Sequence, residues 1–96
     1  MEKRIGVVSI LVEDRNSAAE LNSVLSSYGE IIIGRMGLPV RDRGIYIISL
    51  IVEGTTDQIG AMTGKTGRLP GVQVKSVLTK YRENKDDNSS KDIPGI

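Results

Sequence analysis

Four stretches of the chain are rich in β-branched apolar residues, and two stretches between them repeat apolar residues at spacings of three and four. An unbroken apolar run or a period of two predicts a strand, whereas spacings of three and four predict one face of a helix. The chain is therefore expected to run strand, helix, strand, strand, helix, strand. The predicted strands are residues 5–12, 30–40, 44–53 and 72–80.

Each predicted helix carries a single apolar stripe, which should pack on the sheet. The stripe residues are Ala18, Leu21, Leu25 and Tyr28 in the first helix and Ile59, Met62, Thr66 and Leu69 in the second. Asp14, Asn16 and Ser17 are all suited to cap the first helix. Ser17 and Glu20 also have the spacing of a capping box, in which two side chains satisfy the free N–H groups of a helix start.

The distribution of apolar residues also orders the strands in the sheet. The first and third strands are apolar on both alternations, which predicts central positions. Gly34, Gly37 and Pro39 interrupt the second strand and the fourth only alternates, so both are expected at edges. Two split β-α-β halves joined by a hairpin give a ferredoxin-like βαββαβ sandwich of the α+β class. We expect an antiparallel sheet in strand order 4-1-3-2 with both helices on one face.

The third strand predicts an assembly as well as a fold. Its two alternations are both apolar: Ile45, Ile47 and Ile51 on one, and Tyr46, Ile48, Leu50 and Val52 on the other. Two helices cover only one face of a four-stranded sheet. Leaving the other face wet would expose an apolar patch on the order of several hundred Å², which soluble monomers seldom do. We therefore expect a homo-oligomer, a dimer or tetramer, that covers the second face or extends the sheet by edge pairing.

The composition excludes several classes of chemistry. The chain has no cysteine and no histidine, which excludes thiol and histidine catalysis and metal sites of the Cys/His type. No metal site and no cofactor is predicted. The net charge is +1 and Tyr46 is the only aromatic residue of the two central strands, so direct nucleic-acid binding is not expected. No apolar run reaches membrane-spanning length, and a cytoplasmic location is predicted.

The composition changes after residue 80. Residues 1–80 are assigned to one domain, and residues 81–96 are polar, charged and rich in turn formers, which predicts a flexible C-terminal tail. The polarity of this tail argues against its folding over an apolar sheet face. We therefore expect a second copy of the chain to provide that cover.

Two groups of polar residues are suited to binding an anion. Arg15 and Asn16 follow the first strand, where the N–H groups of a helix start favour negative charge. Simple helix capping is the alternative there, as is a small acylphosphatase-like hydrolase, although the glycine-rich phosphate loop of that enzyme is missing. Arg35, Arg41 and Arg43 cluster around the hairpin and are suited to clamp a carboxylate or phosphate. Solvated charges that protect a sheet edge are the alternative at this second place.

Two segments of the chain resemble a small bacterial family. Residues 34–41 (GRMGLPVR) and 59–75 (IGAMTGKTGRLPGVQVK) look like those of the iron-only hydrogenase system regulators, and the similarity spans about residues 4–80. That family has an ACT-like domain similar to the C-terminal domain of nickel-responsive regulators. The nickel-responsive relatives bind metal through histidine and cysteine, which this chain lacks, so the resemblance implies no nickel site.

The resemblance implies a regulatory role. ACT-like domains usually form oligomers and bind amino acids or other small effectors near the first strand–helix loop. Carried over to this chain, that loop supplies Asp14, Arg15, Asn16 and Ser17 as ligand-binding residues. The leading hypothesis is a non-catalytic, ligand-sensing module associated with an iron-only hydrogenase system. The alternatives are a protein–protein adaptor in metallocluster enzyme maturation and a small acylphosphatase-like hydrolase.

Overall fold

A four-stranded antiparallel sheet is the frame of the protein. In the computed structural model, which describes residues 2–82, the strands lie in the order β2-β3-β1-β4. The strands are β1 (Arg4–Val12), β2 (Ile32–Val40), β3 (Ile45–Gly54) and β4 (Val72–Arg82), and the helices are α1 (Ala18–Ser27) and α2 (Thr56–Gly67). The predicted α+β architecture and the strand order 4-1-3-2 are confirmed, since that order is the observed one read from the opposite edge.

The hydrophobic core lies between the sheet and the two helices. On its sheet side, alternate residues of the two central strands are at most 5% exposed: Val8, Ile10 and Val12 of β1, and Ile48, Leu50 and Val52 of β3. On its helix side, Leu21 and Leu25 come from α1, and Ile59 and Met62 from α2. Both predicted helical stripes thus supply core residues, and the core is aliphatic.

The other alternation of the central strands forms a second apolar surface, which we call the open face. Val7 pairs with Ile51 of β3 on one side and with Val77 of β4 on the other. These three side chains are 37%, 39% and 68% exposed. Met36 and Leu38 of β2, whose partners also lie on the open face, are 67% and 59% exposed. No described element covers the open face.

Strand β2 is irregular at both ends. Its pairing with β3 shifts by one residue between Ile32 and Gly34, which leaves Ile33 as a bulge. At the other end, a 3₁₀ turn over Arg41–Arg43 leads to Gly44, whose φ of 66° is in the left-handed region that glycine adopts without strain. The hairpin predicted between the second and third strands is therefore confirmed.

The two helices begin in different ways. α2 has a complete capping box: the Gln58 N–H donates to Thr55 Oγ1 at 3.1 Å, and the Thr55 N–H donates to Gln58 Oε1 at 2.9 Å. α1 is entered through a 3₁₀ turn, in which the Asn16 N–H donates to Asp14 Oδ1 at 2.9 Å. The capping box predicted for Ser17 and Glu20 is wrong. The Ser17 hydroxyl is buried and donates instead to a carbonyl oxygen outside its own helix.

Strand β4 extends through Arg82, two residues beyond the strand end at 80 that the sequence predicts. It continues because Arg82 still has a partner on β1, where it pairs with Arg4. The rest of the predicted tail lies outside the described residues. Neither helix of the described region has the length and hydrophobicity needed to cross a lipid bilayer.

Candidate functional site

A cleft of about 680 Å³ lies between α1 and the β2–β3 hairpin, and we call it the arginine cleft. Its polar lining consists of Arg15, Asn22, Arg35, Arg41 and the hydroxyl-bearing Tyr46. The remaining lining residues are apolar or glycine: Val12, Ala18, Leu21, Pro39, Val40, Gly44, Ile45 and Ile48. The cleft therefore combines an apolar floor with several hydrogen-bond donors.

The cleft exists because no helix covers the outer edge of the sheet at β2. Beyond the bulge, the residues of β2 on the helix side are Arg35, Gly37 and Pro39, since they pair with the helix-side residues of β3. None of these three offers a large aliphatic surface on which α1 could pack. The space above Gly37 is taken instead by the ring of Tyr46, because a Cβ at Gly37 would lie 2.9 Å from Tyr46 Cζ.

The bulge in β2 determines where Arg35 points. Ile32, before the bulge, pairs with the buried Val52 on the helix side. Without the extra residue, strict alternation would place Arg35 on the open face, because one residue of slip moves every side chain to the opposite face. With Ile33 inserted, Arg35 pairs with the buried Leu50 and stands in the cleft.

Three arginines from three different elements line the arginine cleft. Arg15 comes from the turn before α1, Arg35 from β2, and Arg41 from the turn after β2. Arg35 is held by α1, because its Nη2 donates to Asn22 Oδ1 at 2.9 Å. Within residues 2–82, the lining contains no aspartate or glutamate. The site therefore has concentrated positive charge with no acidic side chain in its wall.

The two predicted groups of site residues meet at this cleft only in part. Arg15 of the first loop and Arg35 and Arg41 of the hairpin share it, although they are distant in sequence. Arg43 is exposed and does not line the cleft. A common site that draws on both groups was not part of the sequence prediction.

The other residues predicted at the first loop lie outside the cleft lining. Asp14 Oδ1 accepts the Asn16 N–H, and the Ser17 hydroxyl donates to the Pro70 carbonyl at 2.6 Å. Asn16 itself is exposed. Their ligand-binding role remains a prediction, but Asp14 and Ser17 have their hydrogen bonds within the protein.

The first loop is held in place by the loop that follows α2. The Glu13 N–H donates to the Gly71 carbonyl at 2.7 Å. Gly71 has a φ of 68°, and a Cβ at this position would lie 2.6 Å from the Asp14 Cβ. Glycine is therefore required both for the backbone conformation and for the close approach. Residues 69–72 (Leu-Pro-Gly-Val) therefore hold the loop that carries Arg15 in position.

Sequence reasoning did not single out Asn22 or Tyr46 as site residues. Asn22 is a polar residue on α1 beside the apolar stripe, and nothing in its sequence neighbourhood distinguishes it from a solvated position. Tyr46 was assigned to the same alternation as Ile48 and Leu50, and it does lie there, paired with Val12. It is 40% exposed because the cleft begins where the helix cover ends.

A second groove, of about 590 Å³, runs between α2 and β4. Gly60, Gly64 and Gly67 form its helical wall, and a Cβ on Gly60 or Gly64 would meet nothing within 4 Å. No described residue packs closely against α2 at those two glycines. In the part of the chain that the structure describes, no group of three His, Cys, Asp or Glu residues could hold a metal ion.

The pairing and order of the elements define a ferredoxin-like domain of the ACT-like type. An ACT domain from the GTP pyrophosphokinase of Chlorobium tepidum shares the fold with a TM-score of 0.67 at 20% identity, over 78% of this chain and 99% of that one. The C-terminal domain of the MgtC protein from Mycobacterium tuberculosis does so with a TM-score of 0.63 at 10% identity, over 81% and 89% of the two chains.

The chain belongs to the TM1266-like family, described as "Iron-only hydrogenase system regulator, putative", whose sequence model matches residues 4–76. The solved structure of the uncharacterized protein TM1266 from Thermotoga maritima is 42% identical to this chain. It matches with a TM-score of 0.77 and covers 81% of this chain and 99% of that one. No curated protein matches the sequence.

Proposed function

We propose that this protein is a non-catalytic regulatory domain that binds a small effector in the arginine cleft and acts as a cytoplasmic homo-oligomer. The observation that carries the proposal is the cleft itself, with three guanidinium groups and Asn22 above an apolar floor. An apolar cavity of several hundred Å³ with a few convergent polar groups is the usual form of a small-molecule site. The description of the family as regulators of an iron-only hydrogenase system supports the regulatory role.

The open face supports the assembly. Val7, Ile51 and Val77 form a continuous row across three strands, and all three side chains remain more than a third exposed in one copy of the chain. Burying such a row against a second copy removes apolar surface from water, which is the main favourable term in protein association. A dimer or tetramer that joins open faces satisfies this requirement.

Strand β2 provides a physical connection between ligand and assembly. Arg35 and Pro39 face the cleft, whereas Met36 and Leu38, which alternate with them, lie on the open face. A ligand that draws the hairpin toward α1 therefore also displaces residues of the subunit contact. By linkage, the ligand then favours the subunit arrangement to which it binds more tightly.

A thermal-shift screen of the full chain tests the proposed function. We expect one class of metabolite, among amino acids, organic acids, nucleotides, phosphate and divalent metals, to raise the melting temperature in a concentration-dependent way. Arg35→Gln should abolish that rise, and Arg43→Gln should keep it, because Arg43 belongs to the same hairpin but does not line the cleft.

A flat screen would contradict the sensing role. So would stabilisation that is equal in the two arginine variants, because the ligand would then bind elsewhere. A flat screen together with a defined protein partner that binds the open face would favour the adaptor role in metallocluster enzyme maturation.

A further inference from the structure

The charge balance of the arginine cleft restricts the class of ligand. We infer that the cleft binds an organic anion that carries at least two negative charges on an apolar body, a phosphate monoester or a dicarboxylate, in preference to a zwitterionic amino acid. This inference rests on the proposed function, in which the cleft is the effector site. It deepens that function by naming the ligand chemistry.

Over residues 2–82, the wall of the arginine cleft has no negative charge to receive a cationic group. An ammonium group that enters the cleft loses water, and an acidic side chain is the partner that best compensates this loss. Among the lining residues of the described chain there is no aspartate or glutamate, and Asn22 Oδ1 already accepts a hydrogen bond from Arg35. Three guanidinium groups would also repel an ammonium group. The lining therefore favours ligands without a cationic end.

The three arginines of the cleft match a ligand with more than one negative charge. Each guanidinium presents a rigid fork of donors that matches a carboxylate or a phosphate with two parallel hydrogen bonds. Arg15, Arg35 and Arg41 come from three separate elements and all line the cleft. A single carboxylate engages one or two such forks. A phosphate, or two carboxylates on one molecule, offers enough oxygen atoms for all three.

The apolar floor of the cleft favours a ligand with an apolar body. Val12, Leu21 and Ile48 lie at the bottom of the cleft, and the ring of Tyr46 forms part of its wall. A bare inorganic ion would leave this surface wet, whereas a ring or short alkyl body would cover it and gain from burial. The volume of about 680 Å³ leaves space for such a body beside the anionic groups.

Isothermal titration calorimetry on the full chain with four probes tests this inference. Phenyl phosphate and phthalate have a ring and two acidic functions, L-phenylalanine has a ring and a zwitterion, and inorganic phosphate has charge without a body. We expect phenyl phosphate or phthalate to bind at least about tenfold more tightly than either of the other two. The tighter of these two probes shows whether phosphate or dicarboxylate is the preferred group.

Two variants locate the binding site. Arg35→Gln should lower the affinity for the preferred probe by at least about tenfold, a change expected when a charge-assisted contact is lost. Arg43→Gln, at an exposed arginine outside the lining, should change it by less than about twofold. Circular dichroism of both variants checks that the fold is kept.

Two results would overturn the inference. If L-phenylalanine binds as tightly as phenyl phosphate and Arg35→Gln abolishes both, the cleft is a ligand site for amino acids, and the proposed function stands without the anion preference. If every probe binds the native chain no more tightly than it binds the Arg35→Gln variant, the anion preference is wrong. The metabolite screen then decides separately whether the cleft binds another effector.

Discussion

Both faces of the two central strands carry apolar residues, but the surroundings of the two faces differ. On the helix side, Val8 and Leu50 are at most 1% exposed, whereas the adjacent residues Val7 and Ile51 on the open face are 37% and 39% exposed. Each central strand thus has apolar side chains on both faces. Only those on the helix side are buried within the described protomer. A strand that is apolar on both alternations therefore predicts cover on both faces, but it does not specify what provides that cover.

The open face is not uniformly apolar. Ser9 and Ser49 pair with each other at its centre, between the row of Val7 and Ile51 and the row of Leu11 and Ile47. The helix side has no such polar pair among the core positions of β1 and β3. The centre of the open face is therefore more polar than the apolar rows on either side of it.

The largest difference between the two faces is expected when one side chain on each face is shortened and the free energies of unfolding are compared. Leu50→Ala removes a fully buried side chain and should lower the free energy of unfolding by about 2–5 kcal/mol. Ile51→Ala, on the adjacent residue, should cost about 1 kcal/mol or less in the protomer because its site is partly wet.

Denaturant unfolding at several protein concentrations checks both values. The cost of Ile51→Ala should grow as the concentration rises, since a second copy then covers the site. The cost of Leu50→Ala should stay large throughout. An equal, concentration-independent cost for both variants would show that the two faces do not differ as described.

The fold was predictable because its signals are local. The two-residue and three-to-four-residue periods specify the elements, and Gly44 and the glycines of β2 mark the hairpin and the bulge. The start of α1 was not predictable in the same way. Ser17 has the sequence pattern of a capping box, but its hydroxyl bonds to Pro70, 53 residues away along the chain.

The candidate site was predictable only as separate pieces. The bulge shifts the register of β2 by one residue, and that shift turns Arg35 into the cleft. Its position depends on one unpaired residue, which no periodicity specifies in advance. Arg15 and Arg41 meet Arg35 only after the sheet has formed.

A smaller effect, on ligand affinity, is expected at Gly37, which lies where the helices no longer cover the sheet. Gly37→Ala places a methyl group against the ring of Tyr46, whereas Gly64→Ala places the same group in open space on α2. Gly64→Ala should raise the free energy of unfolding by about 1 kcal/mol, because alanine stabilises a helix interior relative to glycine. Gly37→Ala should displace the Tyr46 ring and weaken phenyl phosphate binding about threefold or more.

Thermal unfolding and calorimetry measure this pair, with Gly64→Ala as the matched control. Its affinity for phenyl phosphate should remain that of the native chain, because Gly64 lies outside the arginine cleft. Unchanged binding in Gly37→Ala would mean that Tyr46 is not part of the ligand wall.

Sedimentation velocity tests most directly whether a second copy covers the open face. At micromolar concentration we expect the native chain to sediment as a dimer or tetramer. Ile51→Glu, which places a charge within the apolar row, should sediment as a single folded protomer. A native chain that sediments as a lone, well-folded protomer, or an Ile51→Glu variant that assembles as the native chain does, would contradict the assembly proposed for this face.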